Sequence, residues 1–272
     1  MLDIQWIITF LVLGSFVGFM AGLLGIGGGG IMVPMLTTIF IMQGVDANNV
    51  VHLALGTSMA SMIFTSFSSL RAHHSKQAVL WPVVKRMAIG IILGTFLATF
   101  IASNMRSVYL AMFFTAFMAF VSLQMFLNKK PKPSRQLAGS AGLFGAGTFI
   151  GSISALVSIG GGSLTVPYLT WQNVDIKKAI GTSAAIGLPI SIAGSLGYLI
   201  NGVISSNAVT YTNTLYTFGF VNLPAVLLIS ITSVFMAPIG AKFAHKLPVA
   251  ILKKIFAVLL IILSIKMLIS VL

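Results

Sequence analysis

The chain has 272 residues, of which 57% are hydrophobic and only 7% charged, and sixteen Lys plus Arg against three acids give a formal net charge of +13. A soluble domain carries roughly 25% charged residues, so this composition cannot cover one, and disorder, which needs a charge-rich, apolar-poor chain, is excluded with it. The positive charges form short clusters between long apolar runs rather than one patch or stripe, which points to a polytopic membrane protein and away from nucleic acid.

Taken in chain order, mostly apolar stretches of about 20 residues, the length that crosses a bilayer core, run over 5–24, 50–70, 78–102, 106–128, 136–157, 177–200, 213–240 and 249–271. No basic region precedes residues 5–24, so they are expected as a retained helix rather than a cleaved signal. Two pieces, 31–43 and 164–173, follow glycine runs and are too short to span comfortably. The expected fold is an all-α integral membrane protein with about eight full transmembrane helices and two short ones, ten helical elements in all.

Charge orients these spans. Arg71, Lys76, Lys85 and Arg86 form one basic cluster, Lys129, Lys130, Lys132 and Arg135 a second, and Lys242, Lys246, Lys253 and Lys254 a third. Basic clusters mark the cytoplasmic side, which places both termini outside and the linker 129–135 inside, in a multi-pass membrane protein. Trp6, Trp81 and Trp171 fall near expected span ends, where interfacial aromatics belong.

An internal repeat divides the chain. Residues 14–34 read GSFVGFMAGLLGIGGGGIMVP and residues 147–167 read GTFIGSISALVSIGGGSLTVP, ten of twenty-one positions being identical at an offset of 133. Gly-Thr-Ser recurs at 56–58 and 181–183. The expected organisation is one membrane domain with a first half over 1–128, the basic linker 129–135 and a second half over 136–272. By the charge argument the halves start on opposite sides, so they are inverted-topology repeats, as in many secondary transporters.

The glycine runs Gly25-Ile26-Gly27-Gly28-Gly29-Gly30 and Ser158-Ile159-Gly160-Gly161-Gly162-Ser163 carry the strongest chemical signal. The first matches a dinucleotide-binding pattern formally, but it follows about twenty apolar helical residues instead of a strand in a soluble unit, and the second copy lacks the pattern. Consecutive glycines disfavour helix by about 1 kcal/mol each relative to Ala. Unwound backbone at membrane depth is tolerated only where it is buried in protein or lines a watery cavity. A helix restarting at Gly30 or Ser163, with Ser163 as N-cap, would present free N–H groups and a positive dipole end to an anion. Gly27, Gly28, Gly29, Gly30, Gly160, Gly161, Gly162 and Ser163 are therefore candidate substrate-binding residues. By contrast Gly14, Gly18 and Gly22, with Gly147, Gly151 and Ala155, have the spacing of close helix packing. Thr57, Ser58, Thr182 and Ser183 are candidates of a second kind, because their hydroxyls can either donate to a substrate oxygen or bond back to a carbonyl one turn earlier.

Other chemistry finds no support in the sequence. There is no Cys, no nucleophile elbow and no paired carboxylate. His73 and His74 are expected in a cytoplasmic loop, with His52 at the outer edge of a span and His245 near a loop, and this spacing fits no metal site. No enzyme, metal or cofactor is expected. Lys85, Arg86 and Lys266 are close enough to span ends to snorkel. All three acids fall in loops or at the terminus, so anion export driven by the membrane potential alone is expected.

The paired glycine breaks, each followed by Val-Pro, and the paired Gly-Thr-Ser resemble the TauE/SafE family of sulfite and organosulfonate exporters over nearly the whole chain. The resemblance implies an inner-membrane permease for sulfur-containing anions, without naming the anion or the direction. The partners implied are a small anionic solute and the lipid bilayer, and a homo-oligomer is compatible with both. Two other readings stay open at this point, a membrane scaffold without a substrate and a transporter of another small anion such as a carboxylate or thiosulfate.

Overall fold

The computed structural model describes residues 3–24, 28–127, 136–204, 216–244 and 249–272. Ten α-helices account for nearly all of it: α1 (Ile4–Leu24), α2 (Gly29–Met42), α3 (Val50–Ser75), α4 (Trp81–Ser103), α5 (Ser107–Leu127), α6 (Ser140–Val157), α7 (Gly162–Trp171), α8 (Ile176–Ile204), α9 (Leu223–Ala244) and α10 (Val249–Val271). A two-residue hairpin pairs β1 (Thr217–Phe218) with β2 (Val221–Asn222) ahead of α9. Eight helices are long and apolar enough to cross a membrane, and α2 and α7 are the two short ones.

Several helices begin where a polar or conformationally special residue stops an apolar run. Asp175 Oδ1 accepts the Lys177 N–H at 2.9 Å, and Asp46 Oδ1 accepts the Asn48 N–H at 2.6 Å, so two of the three acids shape the entries to α8 and α3. The apolar pattern predicts a span over 213–240, yet α9 starts only at Leu223. Gly219 takes a left-handed φ of 54° in the hairpin turn, and Pro224 fits the first turn of a helix, where its missing N–H costs nothing. The stretch 136–157 likewise shortens to a helix from Ser140, behind an extended Gly139. His73 and His74, expected in a loop, belong to the last turn of α3, which continues to Ser75. Because α4 starts at Trp81, Lys85 and Arg86 lie only about one turn inside it, and both are exposed. The linker 129–135 and His245 lie outside the described residues.

Packing is organised around α3 and α8, the two most enclosed spans. They cross antiparallel: the Cβ position of Gly187 faces Ser66 Oγ at 3.1 Å, and that of Gly194 faces Met59 Sδ at 3.0 Å. Helices α5 and α10 are antiparallel too, with Thr115 Oγ1 donating to the Ser264 carbonyl at 3.0 Å and Lys254 Nζ standing 5.3 Å over the Phe126 ring. On the flanks α1 packs parallel to α9 and α4 parallel to α6. Gly14, Gly18 and Gly22 seat α1 directly on the backbone of Ile229, Ser233 and Ala237, while Gly147 and Gly151 seat α6 on Met87 and Ile91. These glycines are helix contacts, as their spacing predicts. Large apolar side chains on the outward faces, among them Ile8, Val12, Ile89, Leu97, Ile262 and Ile269, are exposed where lipid would cover them.

Candidate functional site

The second glycine run is a true interruption. Ser158 ends α6 in a left-handed conformation, φ 47° and ψ 41°, and α7 restarts at Gly162 with Gly161 as its N-cap. Ser163, expected as the cap, sits one residue inside the helix instead, and the cap position makes no side-chain hydrogen bond. The Gly161 carbonyl accepts the Thr165 N–H at 2.7 Å. Close by, the Ser163 and Thr165 hydroxyls are buried and have no hydrogen-bond partner among the described residues. Hydroxyls buried in this way cost free energy unless something occupies the space beside them.

The first run is built differently. Gly27 lies outside the described residues. Gly28 precedes α2 and its carbonyl accepts the Ile31 and Met32 N–H groups at 3.2 and 3.0 Å. Gly28, Gly29 and Gly30 are all buried. A Cβ on Gly29 would run into the Ser158 carbonyl, and one on Gly30 would stand 3.1 Å from Leu260. The two breaks therefore touch, at Gly29 and Ser158, and protein atoms fill the space around Gly28, Gly29 and Gly30. Across the same junction Ser158 Oγ donates to Ser58 Oγ at 2.9 Å.

The two Gly-Thr pairs share one task. Thr57 Oγ1 accepts the Asn222 N–H at 3.0 Å, and Thr182 Oγ1 accepts the Leu80 N–H at 3.0 Å. Two residues earlier, the Phe220 and Ala78 carbonyls press against Gly56 and Gly181, where no side chain would fit. Each pair thus clamps the short segment that enters a long helix, α9 in one case and α4 in the other. Neither threonine lines the cavity described below, whereas Ser183 does, so the third residue of the motif distinguishes the halves.

A cavity of about 110 Å³ opens beside the second break. Gly160, Gly161, Gly162 and Ser183 form its inner end, and Thr65, Ser66, Ser68, Ser69 and His73 of α3 form one wall. Gly22 of α1 and Pro238 of α9 also line it. At about 30 Å³ per water, it has room for several waters or one small oxyanion. Among the described residues its lining offers backbone N–H groups, hydroxyls and the His73 ring, with no Asp, Glu, Lys or Arg. Such a set can hold an anion by donation while leaving it free to depart. The α3 wall was not singled out from sequence, although Thr-Ser-Phe-Ser-Ser at 65–69 is an unusually hydroxyl-rich run for a span. Among the described residues no three His, Cys, Asp or Glu side chains gather as metal ligands would.

His52 completes the polar inventory. Its buried ring places Nε2 3.0 Å from the Ala102 carbonyl and Nδ1 3.3 Å from Ser107 Oγ, and it stacks on Phe220 at 5.1 Å. It ties α3 to the α4–α5 turn, at the end of α3 remote from the cavity-lining Thr65–His73 stretch.

Comparison with known proteins agrees with this architecture. The profile of the family described as "Sulfite exporter TauE/SafE" matches residues 10–267. A probable membrane transporter protein of Haemophilus influenzae is 34% identical over 267 residues, covering 96% of this chain and 98% of that protein. Probable membrane transporter proteins of Methanocaldococcus jannaschii and Bacillus subtilis are 27% and 26% identical, each over 87% of this chain and over 86% and 89% of their own lengths. No solved structure matches the chain.

Proposed function

The chain belongs to the sulfite exporter TauE/SafE family of membrane transporters, and from that premise we propose that it exports a small sulfur-containing anion, sulfite or an organosulfonate, across the inner membrane through the cavity at the second glycine break. The observation that carries this reading is that Gly160–Gly162 and Ser183 line one cavity, with the unpartnered Ser163 and Thr165 hydroxyls just behind them in the first turn of α7. A sulfonate or sulfite group carries three acceptor oxygens, which match converging N–H and O–H donors. The N-terminus of α7 adds the positive end of its dipole.

Two inverted halves, 1–128 and 136–272 joined by the linker 129–135, make up the transporter in this reading. The antiparallel pairing of α3 with α8 and of α5 with α10 supports it, as does the exchange of partners by which α1 packs on α9 and α6 on α4. With basic clusters inside, the His73 end of α3 faces the cytoplasm, and so does the mouth of the cavity. Gly28–Gly30 act in support: Gly29 holds the first break against Ser158, so that the second break keeps its shape. Thr57 and Thr182 serve the site by fixing helix entries, Ser58 by holding Ser158, and Ser183 by direct contact.

The test is a ligand panel on purified protein in detergent, read as thermal shift, with sulfite, sulfoacetate, taurine, thiosulfate and acetate as arms. Sulfite or a sulfonate should raise the melting temperature, and Gly161→Leu should abolish the rise. A shift with acetate alone would reassign the substrate to carboxylates, and equal shifts in wild type and Gly161→Leu would remove the site.

A further inference from the structure

His73 of α3 and Tyr198 of α8 occupy equivalent places with opposite outcomes. The Ala78 N–H donates to the His73 carbonyl at 3.1 Å, and the Phe220 N–H donates to the Tyr198 carbonyl at 3.4 Å. Ala78 and Phe220 are also the residues whose carbonyls rest on Gly181 and Gly56. The same correspondence follows from the motifs, since Thr57 to Thr182 and His73 to Tyr198 are both steps of 125 residues. Their neighbours on the broken helices match as well: Gly22 and Ala155, two residues before the ends of α1 and α6, stand at the repeat offset of 133.

On one side, Gly22 and His73 both line the open cavity. On the other, the Tyr198 ring is fully buried and its hydroxyl donates to the Ala155 carbonyl at 2.9 Å. That carbonyl belongs to the last turn of α6, where backbone acceptors have no partner within the helix. The same offsets carry Ser66, Ser183 and Gly187 of the cavity wall onto Ser191, Ser58 and Met62. All three counterparts are buried, and Met62 Sδ lies 3.2 Å from the Cβ position of Gly29. The counterpart of the cavity is therefore a filled volume.

We infer that Tyr198 is the plug of a second, closed vestibule on the opposite face of the membrane, and that transport exchanges this closed vestibule with the open cavity beside His73. The inference rests on the inverted-halves reading given above. Its energetic logic is simple. A single hydrogen bond latches the ring, so its loss shifts the closed-to-open ratio by only about fivefold. The side chain beside the plug that must repack is the unbranched, adaptable Met62. A latch of that strength holds the vestibule shut at rest and still opens within a transport cycle.

The absence of cysteine from the sequence makes the test free of background. Ser66→Cys and Ser191→Cys form a matched pair, probed in sided membrane vesicles with a membrane-impermeant anionic thiol reagent. Ser66→Cys should label from the cytoplasmic face, and Ser191→Cys should resist labelling from either face. Tyr198→Phe, which keeps the ring and removes the latch, should speed labelling of Ser191→Cys from the external face about fivefold. Tyr198→Ala should speed it further, and His73→Tyr should slow labelling of Ser66→Cys. Retained labelling of Ser66→Cys in the Tyr198 variants reports that they are folded. Should Ser191→Cys label at one rate in all Tyr198 backgrounds, or from the same face as Ser66→Cys, the plug is refuted while the cavity stands. A Ser66→Cys that labels from neither face would instead remove the cavity as the pathway, and the proposed function with it.

Discussion

Ser58 and Ser183 close the same motif in the two halves, yet one hydroxyl is bound to Ser158 and the other faces the cavity. Ser183→Ala should therefore raise the KM for the transported anion several-fold with little change in melting temperature, measured by uptake into vesicles and by thermal denaturation. Thr57→Val and Thr182→Val should behave in the reverse way. Each strands a backbone N–H, of Asn222 or Leu80, at a cost of about 1–3 kcal/mol, so the melting temperature falls while KM is held. From sequence, all four hydroxyls looked alike, because a Gly-Thr-Ser triplet does not reveal which backbone it meets. The partners are distant in sequence, 165 residues apart for Thr57 and 102 for Thr182. Ser163 was similarly misplaced as an N-cap, since the glycines on either side of a restart allow it to begin at more than one residue.

At the scale of elements, the helices were legible because bilayer thickness fixes their length and because Gly14, Gly18 and Gly22 mark a packing face. The start of α9 was not, since Thr217–Asn222 is apolar enough to pass for helix while its turn depends on Gly219. The flanking helix pairs give a direct prediction. Gly18→Val puts a branched side chain into the Ser233 backbone of α9, and Gly94→Val does the same to Thr148 of α6. Overpacking of this kind costs about 1–3 kcal/mol and sometimes more, so both variants should elute poorly from size exclusion and melt early. Gly145→Val provides the control, because open space surrounds its Cβ position. If Gly18→Val proves as stable as Gly145→Val, the α1–α9 contact is not as close as described.

At the scale of the whole molecule, the inverted halves make a prediction about sidedness. Reporter fusions after Lys132 and at Leu272 should report opposite faces, and identical faces would contradict the inverted halves. Uncoupled export is expected from where ionisable groups lie. Asp3, Asp46 and Asp175 are exposed at helix entries, and among the described residues no carboxylate, Lys or Arg lines the cavity, which leaves His73 as its one ionisable side chain. An anion leaving an inside-negative cell gains about 2.3 kcal/mol per charge per 100 mV, enough for export of a monovalent species without a coupled ion. The most direct measurement is efflux of sulfite or sulfoacetate from proteoliposomes under a potassium–valinomycin potential, with no pH or Na⁺ gradient, for the wild type and Gly161→Leu. Wild-type flux should follow the imposed voltage, reverse with its sign and vanish in the variant. Flux that persists in Gly161→Leu would contradict passage through the second break, and flux that ignores voltage but requires a proton or Na⁺ gradient would contradict uncoupled export.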